Sequence, residues 1–293
     1  MTTHPHRSGY VLRSAKRRSD GQDCTVHYMT PLQSHTFARN VEASGSMIHP
    51  QDLTVDSAVL VTLGALALPR PTAQGFQYIW ITSHFDPDHT LQRIFLDGQD
   101  GDSPIARRAQ LPFDPRDHSF KAWATLSLLR ATKFMHTHNW IHRDLQPMHL
   151  FYSVQATDWA IQGFDHAVYT PSNHRDDTHS LPHHIFMAPE RLSNPTWLPS
   201  AFVSPSIDVW SLGLCLYTLA TGEKPFESMY QYQNFVERQT LQGHVEGLVA
   251  SAGQADASFQ LLLSRMLQVN PDLRDSLDSL IHLWIQENQL EDE

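Results

Sequence analysis

Residues 139–165 read NWIHRDLQPMHLFYSVQATDWAIQGFD, and the reading of this stretch decides the fold. One polar cluster opens it, His142-Arg143-Asp144-Leu145 followed by Gln146-Pro147-Met148-His149. A second closes it, Asp165 with His166-Ala167 just beyond. The segment between the clusters reads as a hairpin. Upstream, Ala124, Leu128, Ala131 and Met135 recur at helical spacing with Ser119 as a cap, so a helix runs toward His142. Downstream, Asp208-Val209-Trp210-Ser211-Leu212-Gly213 opens a helix whose continuation, Leu214 to Leu219, is apolar nearly all round. A helix without a polar face must be buried, and Gly222 and Pro225 end it. Phe259, Leu262, Leu263, Met266 and Leu267 form a further helical stripe.

Composition bounds the class. A chain of 293 residues with 41% apolar content builds a sizeable core, in one large bilobal domain or two small ones. A net charge of −10 argues against a general nucleic-acid binder, which is normally basic. Cys24 and Cys215 are the only cysteines, so neither a disulfide framework nor a cysteine-rich zinc site is indicated. The N-terminus has no apolar signal segment, and the longest apolar run, Ala58 to Leu68, is too short to span a bilayer. The expectation is a soluble intracellular protein, cytoplasmic or nuclear, with no membrane partner. The 19 histidines are spread along the chain and read as compositional bias.

The first third is sheet-like. Tyr10 to Arg18, the turn Ser19-Asp20-Gly21-Gln22, and Cys24 to Met29 read as strand, turn and strand. Leu32 to Met47 reads as a helical region. Val59 to Leu68 and Phe76 to Thr82 are apolar strands, and Thr90 to Leu96 is a short helix. Almost nothing precedes Tyr10 that would make another strand.

The clusters of the opening stretch resemble the catalytic loop H-R-D-L-K-P-x-N and the D-F-G magnesium site of eukaryotic-type (serine/threonine) protein kinases. Further matches follow in the family's order: Ala188-Pro189-Glu190 for A-P-E, Asp208 to Gly213 for D-x-W-S-x-G, Asn270 to Arg274 for D-P-x-x-R, and Leu280 to Trp284 for L-x-H-x-W. The resemblance is strong from about 119 to 285 and weak from 1 to 85. It implies an α+β, bilobal kinase-like fold: a reduced, antiparallel β-rich small lobe over residues 1–84 and a mainly α-helical large lobe over residues 85–290. Ser83 to Asp88 would be the hinge between them.

The resemblance also assigns residues. Asp144 would accept the substrate hydroxyl proton, and Asp165 would hold magnesium. Arg143 would pair with a phosphorylated segment in which Thr170, Ser172, Thr178 and Ser180 are candidates. Glu190, Asp208 and Arg274 are the structural set, Glu190 and Arg274 as a buried ion pair. The departures lie on the nucleotide side. His27 stands where the strand lysine should be, and its helix partner falls at Asn40 or Glu42. Gly9 is the single glycine of the phosphate-covering loop. Gln146 replaces the loop lysine, His149 the metal-holding asparagine, and His183 the threonine before A-P-E.

The cofactor implied is ATP with magnesium. Imidazole instead suits softer metals, so Asp165 with His149 is a candidate metal pair. Losing one preorganised charge-stabilising group typically costs about 10²–10³ in rate, and several are lost together. The expected function is therefore a pseudokinase, a binding or regulatory module with weak or no phosphoryl transfer and with protein partners. The alternative is a divergent active serine/threonine kinase transferring the ATP γ-phosphate to protein hydroxyls, with Lys16 standing in for the missing lysine.

Overall fold

The computed structural model describes residues 3–5, 11–16, 18, 21, 23–30, 38–39, 41–43, 62–70, 72, 77–83, 85–97, 114, 116–154, 157–170, 184–192 and 204–291. The positions Gly9, Asn40, Ser172, Thr178, Ser180 and His183 singled out above lie outside the described residues.

The architecture is α+β, with an antiparallel sheet followed by a helical region. The strands β1 (Thr3–Pro5), β2 (Val11–Lys16), β3 (Asp23–Met29), β4 (Thr62–Ala67) and β5 (Tyr78–Ser83) form one sheet in the order β1-β2-β3-β5-β4. Each pairing is antiparallel. The tight connection of β2 to β3 turns at Gly21, whose φ of 73° lies in the left-handed region that favours glycine. Two expectations are corrected here. A first strand does exist: Thr3–Pro5 pairs with Val11–Arg13. Lys16 sits at the far end of β2, exposed and 3.1 Å from Asp23, so it serves the hairpin rather than replacing an inward lysine.

The period of β3 places Thr25, His27 and Met29 on one face, and all three are buried. Thr25 fixes the segment after β5 by exchanging hydrogen bonds with the Phe85 backbone at 2.9 and 3.1 Å. Met29, Phe85, Phe151 and Ala160 then form a small apolar cluster joining the sheet to the region below. Phe85 meets Phe151 edge to face, with centroids 5.1 Å apart.

Helix α1 (His118–Thr137) follows. Its cap is Asp117 rather than Ser119: Asp117 is extended, and its carboxylate accepts from the Phe120 N–H, whereas Ser119 already lies in the first turn. The buried helix is α2 (Ser206–Thr221), with every residue from Ile207 to Ala220 out of solvent. It ends at Gly222, whose φ of 78° lets its N–H close on the Thr218 carbonyl at 2.7 Å. Around it lie α3 (Met229–Glu237), α4 (Leu241–Ala255), α5 (Ala257–Met266) and α6 (Leu277–Asn288). The stripe Phe259, Leu262, Leu263, Met266 and Leu267 is wholly buried. The Trp284 indole donates to the Ala122 carbonyl at 2.8 Å, tying α6 to α1.

Candidate functional site

Two short ladders bring the polar clusters together. Strand β6 (Trp140–Ile141) pairs with β9 (Val168–Tyr169), and β7 (Leu150–Ser153) pairs with β8 (Asp158–Ile161). Loop 142–149 therefore faces the segment 162–167. The Gln162 N–H donates to the His149 carbonyl at 2.9 Å, and the Gln162 side chain donates to the Met148 carbonyl at 3.1 Å.

The loop is held from behind by Asp208, which is fully buried. Its carboxylate accepts from the backbone N–H of His142 and Arg143, each at 2.8 Å, and from His136 Nε2 at 2.9 Å. Burial alone would push this carboxyl up, but the His136 contacts and the loop N–H groups outweigh it and hold the group below its ordinary range. Arg143 has a φ of 65°, a conformation that costs a non-glycine residue energy and is kept only by surrounding contacts. Its Nε donates to the His166 carbonyl at 2.6 Å, and its own carbonyl accepts from Arg191. Thr170, one of the phosphorylation candidates, donates to the Asn139 carbonyl at 3.2 Å.

His142 is buried under this loop. It lies against Phe164 with ring centroids 5.3 Å apart and bonds the Gln162 carbonyl through Nε2 at 2.9 Å. Its Nδ1 accepts from the Asp144 N–H at 3.3 Å, which fixes the neutral Nε2–H tautomer. Burial, reinforced by the nearby His149, pushes its pKa down to about 4.

Asp144 is only 4% exposed. Gln146 Nε2 donates to its Oδ1 at 3.0 Å, and His184 Nε2 lies 2.7 Å from the same oxygen. His149 stands 3.6 Å from Oδ2 and donates through Nδ1 to the Asp144 carbonyl at 2.7 Å. Burial would raise the carboxyl pKa, yet the three histidines (His149, His184 and His142) bring it down to about 2. A carboxylate so neutralised is a weak base, because proton abstraction is best served by a pKa near the working pH.

The edge of the His149 ring away from Asp144 lies against a glycine. A Cβ built on Gly163 would meet the His149 ring at 2.6 to 2.9 Å, inside the distance at which carbon atoms can stand. Gly163 has a φ of 80°, and Phe164, Asp165 and His166 follow as one turn of 3₁₀ helix. The residue whose side-chain direction points at His149 is thus Gly163, two before Asp165. Phe164, between Gly163 and Asp165, packs on the His142 ring. Among the described residues no group of three His, Cys, Asp or Glu side chains could hold a metal ion.

His27 is also accounted for. It is fully buried on the inner face of the sheet and bonds Thr82 Oγ1 at 3.0 Å. Glu42, its alternative helix partner, instead lies 3.5 Å from Arg39. Arg274 and Glu190 meet as a two-point pair at 2.7 and 2.8 Å. The guanidinium also donates to the Ser206 and Gln268 carbonyls and lies 5.1 Å from the centre of the Trp210 ring.

Three contributors were not singled out from the sequence. His136 had no signal beyond its place in the last turn of α1. His184 was masked by its neighbour: the motif count pointed to His183, but it is His184 that reaches Asp144. Gly163 carried no signal beyond being a glycine next to Phe164.

Comparison with known proteins agrees with this geometry. The family described as Protein kinase domain matches residues 104–285. The chain is 28% identical over 163 residues to the probable serine/threonine-protein kinase MARK-A of Dictyostelium discoideum, covering 54% of this chain and 14% of that protein. It is 26% identical over 188 residues to the carbon catabolite-derepressing protein kinase of Candida albicans, covering 63% and 27%. It is 30% identical over 165 residues to the Aurora kinase of Patiria pectinifera, covering 55% and 36%. The matches thus span between about a seventh and just over a third of these relatives' length. Among the described residues no helix is long and apolar enough to cross a membrane.

Proposed function

The chain belongs to the protein kinase family, and we propose that within it this chain is a pseudokinase that binds protein partners and transfers no phosphate. One observation carries the reading: the aspartate that would accept the substrate proton is enclosed, its Oδ1 shared by Gln146 and His184. A substrate hydroxyl approaching Oδ1 would have to displace both.

The nucleotide side supports the same reading. The family's activity uses magnesium and ATP, and magnesium takes oxygen ligands in a near-octahedral shell. Here the asparagine position offers an imidazole, and the position facing it offers no side chain. These residues do not fit magnesium. Lys16 and His27 are both engaged elsewhere, Lys16 with Asp23 and His27 with Thr82. By contrast, the contacts that build the large-lobe frame are made in full: Asp208 with the loop, Arg274 with Glu190. A fold retained around an altered site suits a module that acts through its surface.

The test is transfer of labelled γ-phosphate from ATP, with magnesium or manganese, to the protein itself and to generic protein acceptors. The expected result is no incorporation above the Asp144→Asn variant. Incorporation that disappears in Asp144→Asn would establish instead a divergent serine/threonine kinase.

A further inference from the structure

We infer that His149 and Gly163 are a matched pair that closes the family's metal site by filling it with protein, an inference that rests on the pseudokinase reading and gives it a mechanism. Two ligands that share one ion must face each other across the site. In this chain the two facing positions, at the end of loop 142–149 and just past β8, carry an imidazole and a bare Cα.

The ring is not a loose substituent that a metal could push aside. His149 is buried, its Nδ1–H is committed to the Asp144 carbonyl at 2.7 Å, and the backbone on both sides is pinned. Its carbonyl takes the Gln162 N–H at 2.9 Å, and its N–H goes to the Gln146 carbonyl at 2.8 Å. The opposite edge of the ring, Cδ2 and Nε2, stands 2.6 and 2.8 Å from where a Gly163 Cβ would be. The imidazole therefore occupies the volume that a carboxylate side chain at 163 would need. Either residue change alone produces a fault. A larger residue at 163 with His149 kept is a clash, and a small residue at 149 with Gly163 kept is a void. Only the two together pack.

The backbone argues that the glycine answers the ring rather than the turn alone. Its φ of 80° is left-handed, a region in which aspartate and asparagine are the least disfavoured non-glycine residues. An aspartate at 163 would thus meet the His149 ring in addition to the strain of this backbone.

The experiment is a thermal-unfolding cycle over wild type, His149→Asn, Gly163→Asp and the double variant. Uptake of Mn²⁺, alone and with ATP, is followed in parallel by the loss of the free-ion electron paramagnetic signal. The expected result has three parts. Wild type takes up no Mn²⁺ with or without ATP. Gly163→Asp lowers the unfolding temperature by several degrees in the wild-type background. The same change is tolerated in the His149→Asn background, where the restored oxygen ligands take up Mn²⁺.

If Gly163→Asp alone fails to fold, the double variant against His149→Asn still decides. A double variant as damaged as the single would show that the turn, not the ring, forbids a side chain, and would overturn the inference. So would Mn²⁺ uptake by wild type. These readouts do not depend on transfer. A chain that transfers phosphate would fail the pseudokinase reading even with the coupling intact, and one that takes up Mn²⁺ but transfers nothing would fail this inference alone.

Discussion

Replacing Asp144 by asparagine separates an aspartate kept for chemistry from one kept for structure. In this chain the carboxylate is buried, and its pKa is brought from an ordinary 3.8 to about 2. A depressed carboxylate pKa contributes stability that is present above the ordinary value and lost as pH falls toward the lowered one. At about 1.4 kcal/mol per pH unit, a shift of this size corresponds to about 2 kcal/mol at neutral pH. Asparagine keeps the shape and the acceptor for Gln146 but removes the charge that His184 and His149 face. The expected loss is therefore about 2 kcal/mol, or about 4–8 °C in unfolding temperature at roughly 2–4 °C per kcal/mol for chains approaching this size. Circular dichroism melts of wild type and Asp144→Asn at pH 7 read it directly. His184→Gln, which removes a partner, should lose part of the same energy, and the double variant should fall short of the sum because the groups are in contact. A variant as stable as wild type, or more so, would refute the reasoning. That outcome is what a strained catalytic group gives when its charge is removed.

Two further outcomes follow from the same geometry. Arg274→Ala should cost about 3–5 kcal/mol, as breaking a buried pair does, because Glu190 is left uncompensated once its two bonds at 2.7 and 2.8 Å are gone; denaturant unfolding monitored by tryptophan fluorescence measures it, and a loss under 1 kcal/mol would contradict the burial argument. Acidification should lower the melting temperature between about pH 6.5 and pH 4, because His142 is held neutral with its pKa pushed down to about 4. The unfolded chain binds that proton first, so stability present above the ordinary histidine value is lost as pH falls. A His142→Phe variant should show a flatter profile over that window.

How much of this was legible depended on what each residue answers to. The frame of the large lobe could be read because its signals are periodic or punctuating. The all-apolar run after Asp208 has one physical solution, burial, and Gly222 can end a helix as it does because of its left-handed backbone. The site was less legible, because its residues answer to neighbours distant in sequence. His184 and Asp144 are far apart in the chain, and nothing in the sequence around His184 says that its ring turns toward Asp144. The cap of α1 was misplaced by two residues for a similar reason. Asp117 and Ser119 are both capping types, and only the extended backbone at Asp117 chooses between them. The three residues of β1 carry no pattern of their own and are a strand only because β2 offers them an edge.

The contact of His149 with Gly163 shows how a motif match can leave out the packing around it. The letters suggested a metal aspartate at 165 beside a lost asparagine at 149, two positions read separately. The packing joins 149 to 163, since His149 and Gly163 touch and each is the size the other allows. Elsewhere in the site Gln146 and His184 share one Asp144 oxygen, and His27 bonds Thr82 within the sheet. Random loss of function would leave buried polar groups facing space once filled by ligand, each costing about 1–3 kcal/mol. Here Gln146 and His184 meet on one Asp144 oxygen, and His149 lies against Gly163. That pattern argues that the site's altered residues are coupled, so restoring any one family residue alone should weaken the fold before it restores chemistry.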